Sequence, residues 1–200
     1  MTTIARNFSA AAAAGLLAIM LTVPTPRLQA QSGTPAASSA TPTPAQVVDQ
    51  LLTGVEKELV PLAEAMPADK YDFAPTNGNF KGVRTFAGQV KHIAEANYGI
   101  FGAAASMQSE AMPKAKAIEK LQTKAEIVQA LKDSYVFAHR AVATLTAQNE
   151  LEQVKVFGHV YTRVGLMVFG VVHMNDHFGQ MVVYLRMNGI VPPSSRPKKK

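Results

Sequence analysis

His173 and His177 stand four residues apart in the stretch His173-Met174-Asn175-Asp176-His177-Phe178-Gly179-Gln180. On a helix that spacing puts both imidazoles on one face, with Cα atoms about 6 Å apart along the axis, so both reach a single ion. An apolar run from Val164 to Val172 leads into the pair, and Met181-Val182-Val183-Tyr184-Leu185 continues after it, which predicts a pair facing the interior of a helical domain. A buried imidazole must be hydrogen-bonded or coordinated, at a cost of roughly a few kcal/mol otherwise. The bland alternative is two core histidines satisfied by hydrogen bonds, or two on an exposed face. His92 is the expected third ligand, because Gly88, Ala96 and Gly99 leave room beside it for a second helix. Three ring nitrogens and a water form the open arrangement of a catalytic metal. Neutral imidazoles suit zinc, nickel, iron or cobalt and do not choose among these divalent ions.

The neighbours have more modest expectations. Gln180, three residues after His177, is placed to bond a ring N–H or a metal-bound water, and an outer hydrogen bond of this kind commonly orients a ligating imidazole. Asp176 projects about 100° around the helix from His177, toward a neighbouring helix or solvent. His159 falls fourteen residues before His173, on the same expected helix and face but roughly 21 Å away, too far to share the ion. His139 lies in the middle of another helix, as a core or surface residue. Met167, Met174, Met181 and Met187 lie on different faces and read as core filler, and Arg186 as a cation facing the end of the helix dipole.

The elements that must position these residues are helical. Val47, Val48, Leu51, Leu52, Val55, Leu59 and Leu62 predict a first helix after Pro44, which Pro61 is expected to kink or end. A second helix is expected from about Val83 to Met107, and Ser109 to Gln122 reads as a connection with a short turn of helix. Thr123 and Glu126 form a capping box at the start of a third helix that runs to about Gln148. The fourth is expected over Val160 to Asn188, with Gly158 as a break before it and Gly189 as a left-handed stop followed by Pro192-Pro193. With no convincing period-2 stretch, the expected architecture is all-α, an up-down four-helix bundle over residues 44–189.

Around that body lie a signal peptide at 1–30, a disordered linker at 31–43 and a basic Pro-rich tail at 190–200. Arg6 without acidic neighbours, the apolar run Phe8 to Val23 and Leu28-Gln29-Ala30 before Gln31 have the form of a cleavable export signal, directing the chain to the periplasm or outside the cell. The competing reading is an uncleaved membrane anchor, but the apolar run is short for the roughly 20 residues that span a bilayer, and no membrane association is expected after cleavage. Cysteine is absent, which excludes disulfides, thiol nucleophiles and thiolate metal sites. The formal charge of +6 is peripheral: two of the twenty basic residues, Arg6 and Arg27, lie in the signal, and Arg196, Lys198, Lys199 and Lys200 in the tail. The remaining fourteen match the fourteen acidic residues, so the body has no charge excess with which to bind nucleic acid.

The run Arg84-Thr85-Phe86-Ala87-Gly88-Gln89-Val90-Lys91-His92, followed far downstream by His-x-x-x-His-x-Gly-Gln, resembles the DinB-like superfamily of damage-inducible and thiol-transferase-like four-helix bundles. Met66 to Pro75 also resembles that family's loop after the first helix, so the likeness spans about residues 44 to 189. The resemblance implies a divalent-metal site of three histidines, falling on His92, His173 and His177. It also implies activation of a low-molecular-weight thiol in characterised relatives, although Phe178 stands here where an arginine is common. The chain is therefore expected to bind one divalent metal, as a metal-dependent hydrolase or thiol transferase acting on a small molecule. A non-catalytic, metal-stabilised binding or structural module is the alternative, and homodimerisation through an exposed helical face is left open.

Overall fold

The computed structural model describes residues 41–197, so the signal-peptide expectation at 1–30 and most of the expected linker at 31–43 lie outside the described residues. The described chain is mostly helical: α1 (Pro44–Ala65), α2 (Phe86–Ala104), α3 (Gln108–Ile118), α4 (Lys124–Val142), β1 (Gln153–Val156), β2 (His159–Thr162) and α5 (Arg163–Met187). The four long helices pack α1 on α4 and α5, and α2 on α4 and α5, while α3 lies against α2. Among the described residues no helix is long and apolar enough to cross a membrane.

Side-chain caps define the starts of the four long helices. Thr43 and Gln46 form a capping box before α1, Thr123 and Glu126 form the expected one before α4, and Thr85 and Thr162 accept from Gly88 and Gly165 at the starts of α2 and α5. Gly189, at φ +72°, ends α5 as expected. Pro61 does not end α1. The helix continues to Ala65 because Leu59, Leu62, Ala63 and Met66 are buried beneath it, offsetting the lost backbone hydrogen bond.

Three expectations are corrected. The third long helix ends at Val142, not near Gln148, where side chains take up the backbone groups: Thr144 Oγ1 donates to the Ala141 carbonyl, and Asn149 bonds the Thr144 carbonyl and the Thr146 N–H. Ser109 to Gln122 is no simple connection, since α3 spans eleven residues of it and its neighbour with Pro113 inside, seated by buried Ala111, Ala115 and Ile118. The fourth long helix begins at Arg163, not at Val160. The residues before it form an antiparallel hairpin pairing Val156 with His159, and Phe157 and Gly158 turn at φ +53° and +76°. Positive φ at both central positions is the turn whose twist matches a two-residue hairpin. Arg163 then bolts this hairpin to the helices: Nε meets Glu152 at 2.8 Å, while Nη1 donates to the Ala104 carbonyl at the end of α2.

The core is shared by α1, α2, α4 and α5, with Phe86, Phe101, Leu131, Tyr135 and Leu166 fully enclosed. Asn97 donates to Ser134 at 3.1 Å across α2 and α4, a buried polar contact that favours one register. Between α2 and α5 the side chains of Phe101 and Ile100 pack directly onto Gly170, where a Cβ would stand 2.8 Å from Cε2 of Phe101 and 3.1 Å from Cγ2 of Ile100. Phe101 is fully buried and has nowhere to move. Gly170→Ala should therefore destabilise the protein by about 1–3 kcal/mol in urea unfolding, through overpacking; an unchanged midpoint would show the seam to be looser than this.

His139, on α4, is held by two carboxylates of α1, Nδ1 to Asp49 at 2.6 Å and Nε2 to Glu56 at 3.0 Å. Burial acts to lower its pKa, but the hydrogen bonds to Asp49 and Glu56 outweigh it and hold the group above the ordinary 6.5. A raised pKa stabilises the fold fully below the ordinary value, and the contribution is lost as pH rises through the raised one. His139→Gln should thus cost more stability at about pH 5.5 than at about pH 8.5, which paired urea titrations would show. An equal cost at both would mean that the carboxylates do not hold an imidazolium.

Candidate metal centre

His173 and His177 lie one turn apart on α5 and meet His92 of α2 across the seam. One ring nitrogen from each falls within 4.8 Å of the others. His173 Nε2 lies 3.2 Å from His92 Nε2 and 3.2 Å from His177 Nε2, and the three ring centroids are 4.5–5.1 Å apart at steep interplanar angles. The three sequence-expected ligands are therefore brought together. His139 is occupied between α1 and α4, and His159 sits on the exposed strand β2, not on the helix expected for it.

The donor set fits a divalent cation. Zinc–nitrogen bonds of roughly 2.0–2.1 Å in tetrahedral array put the nitrogens about 3.3 Å apart, close to the two measured spacings. Hydrogen bonding alone cannot satisfy the cluster. A proton on His173 Nε2 serves one neighbour at a time, whereas a cation between the rings accepts all three lone pairs.

Protonation favours the same role. Burial pushes His92 down to about 4, helped by the Arg84 guanidinium and by His177 and His173. Burial likewise takes His177 to about 4, with His173 and Arg84 adding to the effect and Asp176 opposing it. His173 is lowered by burial, against Asp176 and with Arg84. All three rings are thus neutral near pH 7, the form that ligates.

The tautomer of His177 is set from outside. Asp176 can only accept, so Gln180 turns its amide NH2 to it at 2.8 Å, leaving the Gln180 carbonyl to accept from Gln89 at 3.0 Å. The Gln89 carbonyl then faces His177 Nδ1 at 2.7 Å. Nδ1 must carry the proton, and the Nε2 lone pair is left to the cluster. Gln180 was expected on a ring or a bound water; it is one hydrogen bond further out, and buried Gln89 makes the contact. Gln89 had a local signal, since it lies one turn before His92 on the same helix face. Among the described residues His173 has no such partner: its Nδ1 is buried without a hydrogen bond. An orphaned polar atom of that kind costs about 1–3 kcal/mol. Phe169 flanks the His173 ring at 6.3 Å and is itself flanked by Tyr161 of the hairpin at 5.6 Å, so one side of the cluster is walled by aromatics.

Residues 47–198 match the model of the DinB family. In structure the chain is similar to a DinB-like protein, YjoA, from Bacillus subtilis, at TM-score 0.59 and 17% sequence identity, covering 76% of this chain and 99% of that one. At that identity the likeness shows the all-α fold. No curated protein matches the chain in sequence.

Gln89→Leu keeps the shape of the side chain but frees the His177 ring to either tautomer. Zinc affinity, read by competition with a chromophoric chelator, should fall about 10- to 100-fold. Affinity within a factor of about two of the parent would show that the hydrogen-bond chain does not orient the ligand.

Proposed function

The chain belongs to the DinB family, and from that premise we propose that it is an exported protein whose four long helices, as an up-down bundle, hold one divalent metal on His92, His173 and His177. The observation that carries this reading is the convergence of one ring nitrogen from each of three histidines on two helices, with His173 Nε2 at 3.2 Å from both of the others, a spacing a tetrahedral ion would use. The family's three-histidine set falls on the same residues by order and spacing, which supports it further.

A bound zinc, nickel, iron or cobalt ion would supply a Lewis acid that lowers the pKa of a bound water or thiol toward neutrality. The chain's own residues do the rest. Burial keeps the imidazoles neutral, Gln89 and Gln180 hold His177 in its ligating tautomer, and Phe169 with Tyr161 restricts water on one side. With three protein ligands a position stays open for a small molecule, which suits metal-dependent hydrolysis or thiol transfer. Export is supported by Arg6, the apolar run Phe8 to Val23 and the small residue Ala30 before Gln31.

The test is the metal content of the protein purified without an affinity tag, as its cell processes it. The parent should carry about one equivalent of a divalent metal, and His92→Ala and His173→Ala should each lose it. A parent that stays metal-free after reconstitution would overturn the reading and make these core histidines. A metal-loaded protein that is silent in hydrolase and glutathione-type conjugation assays, yet melts lower after chelation, would instead be a metal-stabilised module. N-terminal sequencing of the same preparation should begin at Gln31.

A further inference from the structure

Beyond the histidines, along the same seam, lies a cavity of about 420 Å³. Gln89 and Gln180 line it, and since Gln89 also bonds His177, this amide pair stands between the cavity and the metal centre. The remaining wall is built by the loop before α2 and by the last turns of α5. Pro75, Phe80, Val83 and Val183 make it apolar, and Phe80 and Val83 are each left 38% exposed with Val183 at 51%. Arg84 supplies a cation on the same wall.

The loop is anchored. Phe86 N–H donates to the Phe73 carbonyl and Ala87 N–H to the Tyr71 carbonyl, both at 2.8 Å, while Tyr71 donates to Ala63 of α1. Tyr184 of α5 donates its hydroxyl to the Arg84 carbonyl at 3.0 Å, and Phe73 meets the Tyr184 ring edge-on at 5.9 Å. The backbone under Arg84 is thus fixed while its guanidinium is uncommitted: among the described residues no carboxylate lies within ion-pair distance of it. Of the acids near this end of the site, Asp176 is bonded to Gln180, and Glu95, which Arg84 acts on electrostatically, makes no ion pair with it.

A cavity of this size takes a small molecule. A lone guanidinium suits one carboxylate, which it binds through two parallel hydrogen bonds. Exposed apolar side chains around it suit an uncharged hydrocarbon body. We infer that this cavity binds a small organic monocarboxylate, its carboxylate on Arg84 and its apolar body on Phe80, Val83 and Val183, beside the three histidines. Its role as the substrate's anchor rests on the metal reading; the binding itself does not, because none of these residues is a ligand.

Calorimetric titration of the metal-free and the zinc-loaded protein with phenylacetate and with its neutral analogue phenylacetamide tests this. Phenylacetate should bind both forms, at least about tenfold more tightly than the amide. Arg84→Gln should abolish that preference while leaving zinc stoichiometry unchanged, and Arg84→Lys should keep part of it. Equal binding of acid and amide, or a preference unchanged in Arg84→Gln, would overturn the inference. Binding of phenylacetate only to the zinc form and regardless of Arg84 would also overturn it, placing the carboxylate on the metal and leaving the metal reading intact. Arg84-dependent binding in a protein that takes up no metal would uphold the pocket and remove the metal reading instead.

Discussion

The approach of α5 to α2 at Gly170 is the constraint on which the site depends. Because the two helices run in opposite directions, one approach sets a series of contacts. Phe101 meets Gly170, then His92 meets His173 and His177, then Gln89 meets His177 and Gln180, and finally the Arg84 backbone meets Tyr184. A side chain at Gly170 would push on the first of these, and every later contact is built on the same pair of rods. The site is therefore a property of helix packing, held on rigid elements and not on loops, which is what a ligand set accurate to a fraction of an ångström requires.

Charge is kept near this seam but out of its centre. The imidazoles are neutral, and the amides of Gln89 and Gln180 carry orientation inward from Asp176, which stays exposed. An amide passes on direction without bringing a charge, so the buried end of the chain incurs no ionic desolvation cost. Arg84 opposes protonation of all three rings from the other end, which lowers the competition a metal meets from protons. Among the described residues, the Nδ1 of His173 is where this arrangement leaves a buried polar atom of the ligand rings bare.

What was legible in the sequence follows the range of the signals. The four long helices, the Thr123–Glu126 capping box and the Gly189 stop are local patterns and are present, although the third helix ends before and the fourth begins after the expected residue. The three histidines were legible because His173 and His177 share a turn; the small residues beside His92 were a weaker guide, since a Cβ at Gly99 would meet open space and the tight α2–α5 contact falls at Gly170. The hairpin was not: its strands have four residues each, and Phe157-Gly158 lacks the asparagine or aspartate that usually marks such a turn. Its period-2 trace, Gln153-Val154-Lys155-Val156, is too short to outweigh the helical pattern beginning just beyond it. Helix α3 was hidden by Pro113 and its lysines. Gln89 lay in plain view on the right face, but its bond to His177 joins residues 88 positions apart, and only packing determines that.

The contrast between His139 and His177 shows how the same side chain is turned to two ends. Both rings are substantially buried, and burial alone would lower both pKa values. His139 has a carboxylate on each nitrogen, so both nitrogens must donate, and the ring becomes an imidazolium that ties α1 to α4. No lone pair remains there for a metal. His177 has an amide on one nitrogen and another imidazole on the other, so it stays neutral and directs its lone pair at its neighbours. Were Gln89 a glutamate, the charge now held at Asp176 would sit against the ring, and His177 would be drawn toward the protonated state of His139. The glutamine is what separates a ligand from a clamp, and it does so by fixing the tautomer without contributing a charge.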